Sequence, residues 1–217
     1  MPKLREQKTM KIANDREHNS TNRYFLMRHG ESLSNRRGLI VSKPEHALND
    51  YGLTSIGAEQ VLTAALNTRL DRETLIITSD YLRALETAQI MKNVVDCEAQ
   101  VQLEPRLRER DFGQLELKSH DNYESVWLND LTHPEQSFMS IESVQDVLKR
   151  TQEVLNELDE KYHNRTILLV GHGDPLQILL AFHNGINPRF HRSLRGIANA
   201  DIRSLVSSSL SARNPAA

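Results

Sequence analysis

Two spacings of apolar residues alternate along the chain. Tyr24-Phe25-Leu26-Met27 is a continuous apolar run that passes straight into Arg28-His29-Gly30. Such a run closed by a polar turn predicts a buried β-strand over 22–28. Leu75-Ile76-Ile77-Thr78 predicts a second buried strand, and Thr166 to Val170 a third. Val101 to Leu103 predicts a short strand near a sheet edge, and Ile202 to Val206 a last one. Between these runs the spacing lengthens to that of helices. Thr54 stands as an N-cap before Ala58, Val61, Leu62, Ala65 and Leu66, a helix ending near Asn67. Gly57 inside that helix costs about 1 kcal/mol against Ala, which a close approach to the sheet would explain. Ser79-Asp80 turns the second strand into a helix over about 82–93, with Leu82, Leu85, Ala88 and Met91 in register. Ile141, Val144, Leu148, Thr151, Leu155, Leu158 and Tyr162 recur at helical spacing, so a strongly amphipathic helix is expected over 141–162, capped by Ser140. The third strand turns through Gly171-His172-Gly173-Asp174 into an apolar helix over 175–185, with Asp174 as N-cap and Pro175 at the first helical position.

The remaining stretches lack a period. Residues 36–52 carry Arg36, Arg37, Gly38, Pro44, Asn49, Asp50 and Gly52 and read as a long loop. Loops of that length in compact domains tend to be functional or mobile. Pro105 to Gly113 reads as a charged loop, and 114–139 as irregular chain with a short helix at 122–131. Residues 1–21 are polar with sparse apolar positions and read as a mobile arm, and 207–217 as a loose tail. Strands alternating with helices between these ends predict an α/β domain over 22–206, a mostly parallel sheet covered on both faces.

Composition narrows the partners. The 217 residues are 38% apolar and 26% charged, ordinary for a globular protein, and the net charge is -2. That balance makes no electrostatic case for nucleic acid or an anionic membrane, so an anion site has to be local. The longest apolar stretch, Ile178 to Phe182, is far short of a membrane span. Cys97 is the only cysteine, which excludes an internal disulfide and a cysteine-based zinc site and suits a reducing, cytoplasmic setting. No charged start with an apolar core marks a secretory signal.

Chemistry gathers where strands end. In an open α/β sheet, ligands sit beyond the carboxyl ends of the strands. Three strand ends offer polar groups: Arg28-His29, then Ser79 with Arg83 just after it, then His172. Arginine presents a planar fork of donors to an oxyanion, and histidine a nucleophile or base that changes charge near neutrality. Gly30 lets the backbone approach a ligand, and Ser32 and Asn35 add short hydrogen-bonding groups. The pattern of a cysteine phosphatase is absent, since six positions after Cys97 stands Leu103, and no glycine-rich loop ends in Lys-Ser or Lys-Thr. The histidines are not spaced as on a metal-binding helix, so no metal is expected.

Taken together, these segments resemble the histidine phosphatase superfamily, also called the phosphoglycerate mutase-like family. Arg28-His29-Gly30-Glu31-Ser32 with Asn35 resembles its nucleophile motif, and Leu53-Thr54 with Gly57 and Gln60 the segment that follows. Ser79, Leu82, Arg83, Ala84, Glu86, Thr87 and Ala88 resemble the second arginine motif, and Leu107, Glu109, Phe112 and Gly113 the acid motif. Gly171-His172-Gly173 resembles the second histidine motif, and Asn199-Ala200 the entry to the last strand. The resemblance spans about 22–206 and implies a three-layer α/β/α sandwich and a phosphohistidine mechanism without cofactor or metal. His29 would attack phosphorus. Arg28, Arg83 and His172 would surround the transferred group, and Asn35 would add a hydrogen bond. Glu109 would protonate the leaving oxygen and then activate water, with Glu104, Asp111 and Glu116 as rivals for that role.

The span 114–139 is shorter than in family mutases and offers only Lys118 as a cation, which weighs towards hydrolysis of a small phosphomonoester. A 2,3-bisphosphoglycerate-dependent mutase is the alternative, and a catalytically idle phospho-ligand binder the third reading. Arg36, Tyr123 and Trp127, with Lys43 and His46 beside them, are the expected substrate contacts. Asp174-Pro175 departs from what many relatives carry after the second histidine motif, and either reshapes the pocket wall or only caps the helix.

Overall fold

The apolar runs pair into one five-stranded sheet. The computed structural model describes residues 22–205; the expected arm at 1–21 and tail at 207–217 lie outside them. Five strands, β1 (Arg23–Arg28), β2 (Leu75–Thr78), β3 (Gln102–Leu103), β4 (Thr166–Gly171) and β5 (Ile202–Leu205), stand in the order β3-β2-β4-β1-β5. β4 pairs in parallel with β1 and β2, β3 pairs in parallel with β2, and β5 runs antiparallel against β1 at the far edge.

Strand side chains alternate between faces, so neighbours along one strand feed two different cores. Leu26, Ile167 and Leu169 pack with Val147, Leu148, Val154, Leu155 and Leu158 of α6 (Val144–Lys161) and with Leu176 and Leu179 of α7 (Gly173–His183). Met27, Leu168 and Val170 pack on the other face, against Val61 and Ala65 of α3 (Ser55–Asn67) and Ala84, Ala88 and Met91 of α4 (Leu82–Val95). This is the expected three-layer sandwich. Among the described residues no helix is long and apolar enough to cross a membrane.

The expected strands appear at nearly their expected bounds, and the differences fall at helix starts and in the loops. The long helix begins at Val144 with Ser143 as its cap; the Ser143 hydroxyl accepts from the Asp146 amide at 3.1 Å. Ser140 cannot be the cap, because it and Met139 have φ of 59° and 51°, a left-handed turn rather than the extended backbone an N-cap needs. Ile141 matches the helical spacing yet belongs to a separate small core with Ile40, Phe112, Leu115 and Val126. α7 begins earlier than expected, at Gly173, with His172 extended at the N-cap and Asp174 inside the first turn. The stretch 36–52 is not all loop: α1 (Leu33–Arg37) ends within it and α2 (Pro44–Ala47) follows. Within the span 114–139, α5 (Tyr123–Thr132) forms close to its expected place.

Gly57 is explained by close approach, though to the turn after β1 rather than to the sheet proper. Thr54 caps α3, its hydroxyl accepting from the Gly57 amide at 3.0 Å. A Cβ on Gly57 would lie 2.0 Å from the Glu31 carbonyl oxygen, and one on Gly30 would lie 2.4 Å from the Gly57 carbonyl oxygen. These glycines let the helix sit directly on the turn that carries His29. Gly57→Ala should therefore lower the urea midpoint, by about 1–3 kcal/mol of overpacking cost, although alanine has the better helix propensity. A stability equal to or above wild type would show that the contact yields freely.

Candidate active site

β1 ends at Arg28, and the next residue is held by backbone from three directions. The His29 amide donates to the Gly171 carbonyl at 3.0 Å, and the His29 carbonyl accepts from the Asn199 side chain at 3.0 Å and the Ala200 amide at 3.3 Å. The imidazole is 2% exposed. Its Nδ1 lies 2.7 Å from the Gly30 carbonyl oxygen, an acceptor only, so Nδ1 carries the proton and Nε2 the lone pair. Arg83 Nε donates to that Nε2 at 3.1 Å. Burial first, then the charges of Arg83 and Arg28, hold the imidazole well below its ordinary pKa, against the Gly30 bond.

Arg83 stands at the second position of α4, buried, with Nη2 on the Val41 carbonyl at 2.9 Å. Arg28 reaches the Ile197 carbonyl through Nη1 at 3.0 Å. His172 is fully buried at the N-terminus of α7, with Nε2 2.9 Å from the Ser79 hydroxyl and its ring 5.2 Å from that of His29. Burial, then Arg83, lowers its pKa well below the ordinary value. Arg28 Nε, Arg83 Nη1 and His172 Nδ1 are buried without a hydrogen-bond partner in the protein. Buried polar nitrogens rarely go unpaired, and these three belong to residues at or just beyond the carboxyl ends of β1, β2 and β4. Asn35 completes this end. Its Oδ1 accepts from the Ser32 amide and hydroxyl and from Asn199, which leaves the NH₂ end as the free donor.

Arg28, His29, Asn35 and Arg83 open into a cleft of about 240 Å³ lined also by Glu109, Tyr123, Trp127, His120, Asp174 and Arg192, while His172 stays behind them, fully buried and outside its lining. The Glu109 carboxyl is pushed up to about 7, first by removal from water and then by the Asp174 carboxylate; Arg83, the Arg110 amide and Arg28 pull the other way. Its rivals are engaged elsewhere. Glu104 binds Arg106 at 2.7 Å, Glu116 accepts from the Ser42 hydroxyl and amide, and Asp111 accepts from the Gly113 amide.

Tyr123 and Trp127 are both brought to the cleft, stacked at 5.3 Å between ring centres. Arg36 is not. It is exposed at the end of α1 and absent from the cleft lining, because the turn of α1 that presents Asn35 inward sends the next residue out. His46 and Lys43 also serve structure: His46 Nδ1 lies 2.9 Å from Glu116, and the Lys43 amide donates to the same carboxylate. The sequence reading missed Arg192 and His120, and of its two alternatives for Asp174, pocket wall or helix cap, the structure shows the wall. Arg192 lies in a 3-10 segment, Pro188–Ser193, where no motif or period marks it. Asp174 has the residue type of a cap, and only its tertiary neighbours reveal another use.

The fold and the cleft define a class: an α/β protein with two arginines and two histidines gathered at the carboxyl ends of parallel strands. The histidine phosphatase superfamily (branch 1) matches residues 24–210, and the chain belongs to that family. It is 31% identical over 176 residues to the probable phosphoglycerate mutase GpmB of Yersinia enterocolitica, covering 79% of each chain. It is 30% identical over 167 residues to the adenosylcobalamin/alpha-ribazole phosphatase of Escherichia coli, covering 73% of this chain and 77% of that one. The fold is similar to that of a mycobacterial glucosyl-3-phosphoglycerate phosphatase solved with VO3, with a TM-score of 0.70 at 24% identity over 84% of this chain and 90% of that chain.

Proposed function

We propose that this histidine phosphatase family member hydrolyses a small phosphomonoester by passing the phosphoryl group through His29. The observation that carries the reading is the state of that imidazole: neutral, buried, its proton held on Nδ1 by Gly30 and its Nε2 lone pair facing Arg83. A nucleophile needs that lone pair at neutral pH, and a depressed pKa keeps it available.

Phosphoryl transfer asks mainly for in-line placement and for neutralisation of the equatorial oxygens. Arg28 and Arg83 supply two guanidinium forks for that, so no metal need share the charge. The Asn35 amide adds a donor in the cleft, and His172, its ring 5.2 Å from that of His29, stands buried behind it. Glu109, with its carboxyl near 7, is poised to give a proton to the leaving oxygen and then to take one from water. The second reading, mutase, is favoured by the likeness to probable phosphoglycerate mutase GpmB. Against it, the segment 114–139 brings His120, Tyr123 and Trp127 to the cleft but no lysine or arginine, and Lys118 is exposed away from it.

An aryl phosphate assayed with EDTA should release inorganic phosphate at the same rate as without it. Isomerised phosphoglycerate appearing without free phosphate would select the mutase. Loss of all turnover on chelation would return the charge problem to a metal.

A further inference from the structure

The phosphoryl chemistry proposed above leaves Asp174 unused, yet this carboxylate is 5% exposed and ringed by donors from several elements. The Trp127 indole N–H on α5 is shared between its two oxygens at 3.2 and 3.1 Å. Arg110 Nη1 lies 3.4 Å away and Arg192 Nη1 3.9 Å away. Burial pushes the carboxyl up, but His191, Arg110, Arg192 and the Trp127 N–H outweigh that and hold it below its ordinary range. The carboxyl is thus ionised at neutral pH.

The charges around it can be matched one by one. Arg110 has its own counter-ion, a two-pronged pair with Asp130 at 2.7 and 2.8 Å. Arg192 has Asp174 as its only carboxylate within ion-pair distance among the described residues. The Arg192 guanidinium lies 3.7 Å over the Trp127 ring, and its Nη1 donates to Gln177 Oε1 at 2.9 Å, so its place in the cleft wall is well determined. Arg28 and Arg83 answer the phosphoryl charge at the other end. His120, the other basic side chain of the wall, has Asp121 3.7 Å away. The wall that faces the leaving group therefore presents polar and aromatic groups but no unanswered cation.

We propose that Asp174 is a specificity-determining residue: by answering the charge of Arg192 in the cleft wall, it selects phosphomonoesters with an uncharged leaving group over those that carry a second anion. This rests on the phosphatase reading. It also gives the departure at Asp174 after the second histidine motif a use in the cleft wall, since Asp174 lies inside the helix and does not cap it. A phosphoglycerate, whose carboxylate would meet the neutralised wall, belongs to the disfavoured class.

The test compares phenyl phosphate with 4-carboxyphenyl phosphate at about pH 8, where an ordinary imidazole is neutral. The readout is the ratio of kcat/KM for the carboxylated ester to that for the plain one, compared between variants so that intrinsic reactivity cancels. Asp174→Asn keeps an acceptor for the Trp127 N–H but uncovers Arg192, and should raise the ratio roughly tenfold. Arg192→Met leaves Asp174 less well matched and should lower it. A merely structural role for Asp174 would weaken both esters alike, and a ratio unchanged in both variants overturns the proposal. Should Asp174→Asn fail to fold, Arg192→Met at its 36% exposed position decides alone: a lower ratio supports the proposal and an unchanged ratio overturns it. If wild type releases no phosphate from phenyl phosphate, or if release persists in His29→Ala, the phosphatase reading itself fails and this inference goes with it.

Discussion

His29→Ala should abolish phosphate release, with kcat lower by roughly 10⁴-fold or more on every ester tested. No neighbour can replace it. The Nε2 lone pair is the one the surrounding groups are arranged to present, with Nδ1 tied to Gly30 at 2.7 Å and Arg83 Nε at 3.1 Å. His172 is bonded to Ser79 and its ring lies 5.2 Å from that of His29, so attack from its position would come from a different direction. The fold should survive the substitution. His29 is neutral, so its removal breaks no ion pair; it leaves a cavity and takes the acceptor from Arg83 Nε, at a cost of about 2–4 kcal/mol. Thermal melts confirm that the inactive variant is folded. Acid-labile, alkali-stable phosphate trapped on wild type during turnover and missing from the variant would identify the covalent intermediate. Residual activity within about tenfold of wild type would remove His29 as nucleophile.

Glu109→Gln should separate substrates by their leaving groups. An alkoxide needs a proton as it departs, whereas a nitrophenolate hardly does. The variant should lose about 10²–10⁴-fold on an alkyl phosphate and far less on an aryl one, as long as transfer to His29 limits the rate. Equal losses on both would take Glu109 out of the acid role. The pH dependence carries the same signature. Glu109 is an acid whose pKa is raised to about 7, so its protonated form is present below that pH and fades above it. Wild-type kcat/KM on the alkyl ester should fall as pH rises through about 7, and the Glu109→Gln profile should lack that limb. Stability follows with the same sign. A carboxyl whose folded pKa lies above its unfolded one favours the fold fully below the unfolded value, and this is lost as pH rises through the folded value. The variant should therefore melt higher relative to wild type at pH 8 than at pH 4, which differential scanning calorimetry can read. The sign also says why an acid in this position comes at a cost: the charge that chemistry requires in its second half is one the site disfavours.

The sheet was legible because each strand is a short apolar run closed by a turn, a signal local to a few residues. Tyr24 to Met27, Leu75 to Thr78 and Thr166 to Val170 could hardly be anything but buried strands in a chain so polar elsewhere. The four basic residues at the strand ends were legible for the same reason. Arg28, His29, Arg83 and His172 each lie within a few positions of a strand's carboxyl end, so their placement follows from the alternation of strand and helix. Ser140 was a misleading cap because residue type favours many turns alike, and only the φ of 59° shows which one it makes. Arg36 was misleading because a short helix too brief to show a period turns it outward, one residue beyond Asn35.

By itself the sequence determined the layers of this protein, the order in which its catalytic-looking segments come, and the family to which it belongs. Those depend on period, on turn chemistry and on residue types at strand ends, all of which act over short stretches of chain. Only the tertiary structure decided which acid faces the cleft, which nitrogen of His29 keeps its proton, and what Asp174 answers. The acid that remains is the one not consumed by Arg106, Ser42 or Gly113. The proton is settled by a carbonyl 2.7 Å away. The wall is settled by Trp127, Arg110 and Arg192, brought from separate elements onto one carboxylate. Electrostatics and desolvation act through space, and the distances that set them exist only once the chain has folded.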